Sequence, residues 1–177
     1  MNNKLRNISI ALSAVGLLAL VACQSMEQGK GQKASATLES KSGSKAKGEV
    51  TFTWQGNDVL INGTFSGLKP NAEQGFHVHE KGDCSAADAT SAGGHFNPET
   101  KAHGMPNSGM NHAGDLPNIK SDANGNATYS AKLHGFAVNT GPTGILGRSV
   151  VVHRDPDDYK SQPAGNSGPR IACGLIK

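Results

Sequence analysis

The chain has 177 residues, enough for one ordinary domain and too few for two. Glycine is abundant at 23 residues while aromatics make up 5%, a balance that suits short strands and tight turns better than long helices. The formal charge of +3 comes without a basic stripe interleaved with aromatics, so no nucleic-acid partner is expected.

In chain order, residues 1–22 read as an export signal. Lys4 and Arg6 make a basic start, nothing charged follows from Ile8 to Val21, and small residues precede Cys23. About 14 apolar-type residues are too few to span a bilayer, which takes roughly 20. Leu20-Val21-Ala22-Cys23 resembles the lipobox of bacterial lipoproteins, in which the cysteine is lipidated and becomes the new N-terminus. A plain signal peptide cleaved nearby is the alternative. More than one acyl chain would anchor the protein stably to a membrane, and Gln24 in place of aspartate resembles outer-membrane sorting. Loss of Lys4 and Arg6 from 17 basic side chains leaves 15 against 14 acidic ones, a mature charge near +1.

Residues 23–32 are expected to form the lipidated cysteine and a flexible tether, and 33–177 the folded domain. Ala34 to Ser40 reads as a strand. Val50 to Trp54 alternates with Val50, Phe52 and Trp54 on one face, and Asp58 to Phe65 alternates through Val59, Ile61 and Phe65. Phe76 to His79, Ala127 to Leu133, Ser149 to His153 and Arg170 to Ile176 are further strands. Gln55-Gly56-Asn57-Asp58 and Asn124-Gly125-Asn126 are turn chemistry. Two long stretches, Gly82 to about Asn111 and Asp155 to Pro169, lack strand periodicity, and loops of that length are usually functional. Seven or eight strands without a helix of normal length predict a sandwich or Greek-key barrel.

Three cysteines are an odd number for an exported protein. If Cys23 carries lipid, Cys84 and Cys173 remain as a pair in an oxidising compartment; two free buried thiols are the other reading. A bridge between them closes a loop of roughly 90 residues, on the order of 4–5 kcal/mol in the chain-entropy model.

The histidines carry the chemistry. His77 and His79 lie two apart on a strand, so both imidazoles project from one face while Val78 points the other way. His95, His103, His112 and Asp115 follow, and His153 stands at a strand end. Three imidazoles and a carboxylate suit a closed tetrahedral zinc site, and four imidazoles suit tetragonal Cu(II). Six histidines and Asp115 make seven ligands for eight positions, so one imidazole would have to serve both metals.

Five stretches in this order resemble the copper–zinc superoxide dismutases, specifically bacterial exported forms: G-F-H-V-H-E (75–80), G-G-H-F-N-P (93–98), H-A-G-D-L-P-N (112–118), G-R-S-V-V-V-H (147–153) and G-P-R-I-A-C-G-L-I (168–176). The resemblance implies an eight-stranded Greek-key β-barrel that dismutates superoxide with copper and zinc, and so protects the cell envelope. It implies copper on His77, His79, His95 and His153, and zinc on His95, His103, His112 and Asp115, with His95 bridging. It further implies that Asp157 hydrogen-bonds one copper and one zinc histidine, that Cys84 and Cys173 form the family disulfide, and that Arg170 docks superoxide beside copper. His95 would also relay a proton. Bacterial members occur as dimers and monomers, so a homodimer stays open.

The second loop departs from the eukaryotic pattern, with Lys160 but no glutamate pair. Lys101 is a candidate steering charge and equally a solvated loop lysine. His134 lies outside every matching stretch and reads as a surface histidine. Met105 and Met110 flank the zinc loop; thioethers bind Cu(I), but ordinary loop residues are the simpler reading. A copper-delivery protein of the same fold is the main rival, and the presence of all seven ligands and Arg170 argues for the enzyme. A zinc hydrolase would need an open zinc position, which this ligand set does not leave.

Overall fold

The computed structural model describes residues 32–177. The export signal, Cys23 and all of the tether except Gln32 lie outside the described residues.

The long strands are β1 (Lys33–Ser40), β2 (Lys47–Gln55), β3 (Asp58–Ser66), β5 (Phe76–His79), β7 (Ala127–Leu133), β8 (Ser149–His153) and β9 (Arg170–Leu175). Apolar positions alternate in β1, β2, β3, β5 and β7, while β8 is a continuous apolar run between Ser149 and His153. Two strands of two residues, β4 (Glu73–Gln74) and β6 (Ile119–Lys120), pair with each other. The long strands form one antiparallel sheet in the order β5-β8-β9-β1-β2-β3-β7, curled as a half-barrel. β1 makes the curl possible by pairing with β2 along most of its length and with β9 only at Glu39 and Ser40. The one described helical element is a 3-10 turn at Thr90–Ala92.

Val50, Phe52, Val59, Ile61, Phe76 and Val78 are buried in the main core. Phe65, Phe76 and Tyr129 pack edge to face with centroids 5.1 to 6.4 Å apart. Trp54 shares their side of β2 but is only half-buried, because it stands beside the two-residue turn to β3 at the sheet's end.

β5 is buried on both faces. Phe76 and Val78 enter the main core; His77 and His79 face outward. Register aligns His77 with Val151 on β8, and Val151 with Cys173 on β9. Along this outer row Val151 and Cys173 pack with Ala89 and Ala92 in a second cluster. The Cys84–Cys173 disulfide ties the first long loop over this face, with Cα atoms 5.8 Å apart. The irregular segment is thereby fixed against a rigid sheet.

Candidate metal centre

Two loop segments lie along the free edge of β5 like short strands. Val78 N donates to Gly114 O, Phe96 N to Val78 O, and Gly114 N to Phe96 O, all at 2.8–2.9 Å. His95 and Asp115 are thereby held opposite His79 and His77. Gly114 is required here, because a Cβ would lie 2.3 Å from Val78 O. Arg148 stacks on Phe96 at 3.7 Å and braces the segment.

His153 arrives from β8, where the register shifts between Val152 and His153, so that His153 faces Arg170 rather than Ile171. Such a bulge re-aims side chains at the end of a ladder. The second loop folds back over the cluster through Asp157. Gly165, at φ 63°, permits this closeness; a Cβ there would sit 1.8 Å from Asp157 Oδ1 and 2.7 Å from His103 Nε2.

The result is two groups of four donors. In each of His77, His79, His95, His153 and His95, His103, His112, Asp115, one ligand atom per residue lies within 4.8 Å of the others. All seven side chains are buried. Most outer ring nitrogens face acceptors. His77 Nε2 meets Asp157 Oδ2 at 2.8 Å and His103 Nε2 meets Oδ1 at 2.9 Å; His79 Nδ1 meets Gly93 O at 3.0 Å and His153 Nδ1 meets Gly168 O at 3.1 Å. Facing only acceptors, these nitrogens carry a proton, and the other nitrogen of each ring points into the cluster. His95 differs. Its Nδ1 is 2.9 Å from Asp115 Oδ1 and its Nε2 has no partner, so both nitrogens face into the cluster. It is the residue common to the two groups.

Buried His77 Nδ1, His95 Nε2 and His112 Nδ1 have no hydrogen-bond partner. Unpaired buried polar atoms are costly, and here they converge with lone pairs aimed at shared points, which is what a metal ion satisfies. The all-imidazole group fits copper and the group containing Asp115 fits zinc.

Electrostatics separate the halves. Burial, reinforced by neighbouring imidazoles, pushes His77, His79 and His95 down, and takes His153 to about 4. Burial also opposes charge on His103, but hydrogen bonds and charge from Asp115 and Asp157 outweigh it and raise His103 to about 9. Asp115 is held far below the carboxylate range; burial opposes this, but hydrogen bonds from His103 and His95 and the close approach of the His112 ring, 3.4 Å from Oδ1, prevail.

Arg170 is half-buried beside the all-imidazole group, with Nη1 donating to Ala89 O and Nη2 to Gly93 O, each at 2.6 Å. Gly93 O also accepts from His79, so one carbonyl aligns the guanidinium with the copper-type group. Three residues carry roles that pattern alone did not reveal. Gln162 pairs with both backbone groups of His103 at 2.9 Å, and Asn118 with both of Asp157 at 3.0 Å. Tyr159 OH accepts from Asn118 N. Asn118 closes one matched stretch, a usable signal; Gln162 had none.

The remaining candidates lie outside these groups. His134 is exposed and bonded through its backbone to Asn107. Met105 and Met110 are 53% and 69% exposed. Lys101 pairs with Glu99, and Lys160 is exposed on the second loop.

Residues 46–176 match the family model described as copper/zinc superoxide dismutase (SODC). Superoxide dismutase [Cu-Zn] 1 of Aquifex aeolicus is 45% identical over 150 residues, covering 82% of this chain and 88% of the relative. Superoxide dismutase [Cu-Zn] of Paramecium bursaria Chlorella virus 1 is 46% identical over 136 residues, 73% of this chain and 72% of the relative. Among solved structures, the crystal structure of the clock protein EA4 aligns with TM-score 0.74 at 42% identity, covering 83% of this chain and 94% of that one. With its fold and its paired donor groups in place, the chain belongs to the copper/zinc superoxide dismutase family.

Proposed function

We propose that the protein converts superoxide to dioxygen and hydrogen peroxide at the cell envelope, where a lipid on Cys23 tethers it outside the cytoplasm. The observation that carries the catalytic reading is the pair of buried donor groups sharing His95, with the unpartnered ring nitrogens of His77, His95 and His112 turned into them. His77, His79, His95 and His153 would hold copper, and His95, His103, His112 and Asp115 zinc.

Two superoxide anions and two protons yield one dioxygen and one hydrogen peroxide. Bound copper supplies the one-electron exchange, and bound zinc supplies a redox-inert charge. The protein supplies the rest. Arg170 spends two N–H groups on Ala89 O and Gly93 O, and its remaining donors are free for a small anion. His95 can take and return a proton at Nε2, while its Nδ1, which lies beside Asp115, would be held by zinc together with that carboxylate. Asp157 fixes His77 and His103 together, so neither half can shift alone.

Export and lipidation rest on the charge pattern of residues 1–22 and on Leu20-Val21-Ala22-Cys23. Arg170→Ser should lower superoxide turnover severalfold at normal copper and zinc content; unchanged turnover at moderate salt counts against anion docking. Cys23→Ala should release the protein from membranes, and a variant that still pellets with them contradicts the tether.

A further inference from the structure

The turn between β1 and β2 approaches Arg170 from outside the metal groups. The β1–β9 ladder ends at Ser40↔Ala172, next to the bulge that removes Ile171 from regular pairing. Backbone carbonyls beyond that point need other donors. The turn provides them: Lys41 N donates to Ile171 O at 2.8 Å, Ser42 Oγ to Arg170 O at 2.7 Å and Ser44 Oγ to Ile171 O at 2.5 Å. Ser42 and Gly43 both take positive φ, 53° and 70°, which keeps the turn tight.

The same turn grips the loop that receives the guanidinium. Lys41 Nζ donates to Cys84 O and Ser42 N to Ala87 O at 2.8 Å. Ala89 and Gly93, further along that loop, hold Arg170 Nη1 and Nη2. One short turn therefore holds both the backbone from which Arg170 extends and the start of the loop whose later carbonyls receive it. We infer that Lys41, Ser42 and Ser44 are positioning residues for anion docking, acting through Arg170. This rests on the reading of Arg170 as the docking group.

The test uses the metal-loaded full chain with azide, a small monovalent anion, as probe. Azide affinity and kcat/KM for superoxide are measured for Ser42→Ala/Ser44→Ala, for Arg170→Ala and for the three changes combined. The double serine variant should bind azide about fivefold more weakly, the scale of one lost hydrogen bond, with a matching fall in kcat/KM and unchanged metal content. Ser44→Thr, which keeps the hydroxyl at a position free of left-handed strain, should leave affinity at the wild-type value, and the serine changes should add nothing once Arg170 is alanine. Wild-type azide affinity in the double variant overturns the inference, as does an equal loss on the Arg170→Ala background, which would mean a general structural effect. Wild-type azide affinity in Arg170→Ala alone removes the docking reading itself. Should the double variant fold poorly, Lys41→Met, which cuts only the link to Cys84, should show the same direction of loss; wild-type affinity there counts against the inference.

Discussion

Asp157→Asn perturbs one atom of a buried carboxylate that serves both halves of the centre. Oδ1 faces His103 Nε2 at 2.9 Å and accepts Tyr159 N at 2.7 Å; Oδ2 faces His77 Nε2 at 2.8 Å. An amide can satisfy only one side. With its oxygen at the Oδ1 position, the new NH2 confronts the N–H of His77; reversed, it confronts both His103 and Tyr159. The first arrangement has fewer conflicts, and it drives the His77 proton toward Nδ1, the nitrogen that faces the other donors. One lost bond to a charged acceptor is worth about 1.5–3 kcal/mol, and loss of such a partner lowers metal affinity about 10- to 100-fold. Competition against chelators of known affinity, for copper and zinc separately, reads the effect directly. Wild-type affinity for both metals in Asp157→Asn would refute the reasoning.

Three further outcomes are expected. Without metal His103 stays protonated up to about pH 9, so zinc must displace that proton, and apparent zinc affinity should fall about tenfold per pH unit below 9. Burial keeps His153, at about 4, neutral at pH 7, so it has no proton to give up to copper. Calorimetry at pH 7 in two buffers of different ionisation heat should show about one proton released per zinc, and none released contradicts the raised His103. Replacing Cys84 and Cys173 by serine should lower unfolding stability by about 4–5 kcal/mol in denaturant titrations; a loss below about 1 kcal/mol contradicts a constraining role for the 89-residue loop. Gln162→Ala removes two bonds to the His103 backbone and should speed zinc release about tenfold, with Gln162→Glu failing to restore it because a carboxylate cannot donate to His103 O. Zinc release at the wild-type rate would assign Gln162 no role.

Much of this was legible in the chain. The strands with one face in the core, β1, β2, β3 and β7, show as period-2 patterns, as Val50 and Phe52 illustrate, while β8 is buried on both faces and shows as a continuous apolar run. Glu73–Gln74 and Ile119–Lys120 are too short to show a period, so the small β4–β6 pair was invisible. His77-Val78-His79 was readable because strand alternation alone places the two imidazoles together. Resemblance put His95 between the metals; the geometric reason, that both its ring nitrogens face inward, depends on where Asp115 lies across the β5 edge. Gln162, Asn118 and the Lys41–Ser44 turn escaped notice for the same reason. Their partners are backbone groups 39 to 128 residues away, and no local spacing records such a contact.

The most direct test is metal quantification with superoxide turnover on the soluble fragment lacking residues 1–23. One copper and one zinc per chain, with rapid turnover lost on copper removal, is the predicted result. A fragment that binds both metals yet leaves superoxide untouched would contradict the catalytic reading and favour copper delivery by the same fold.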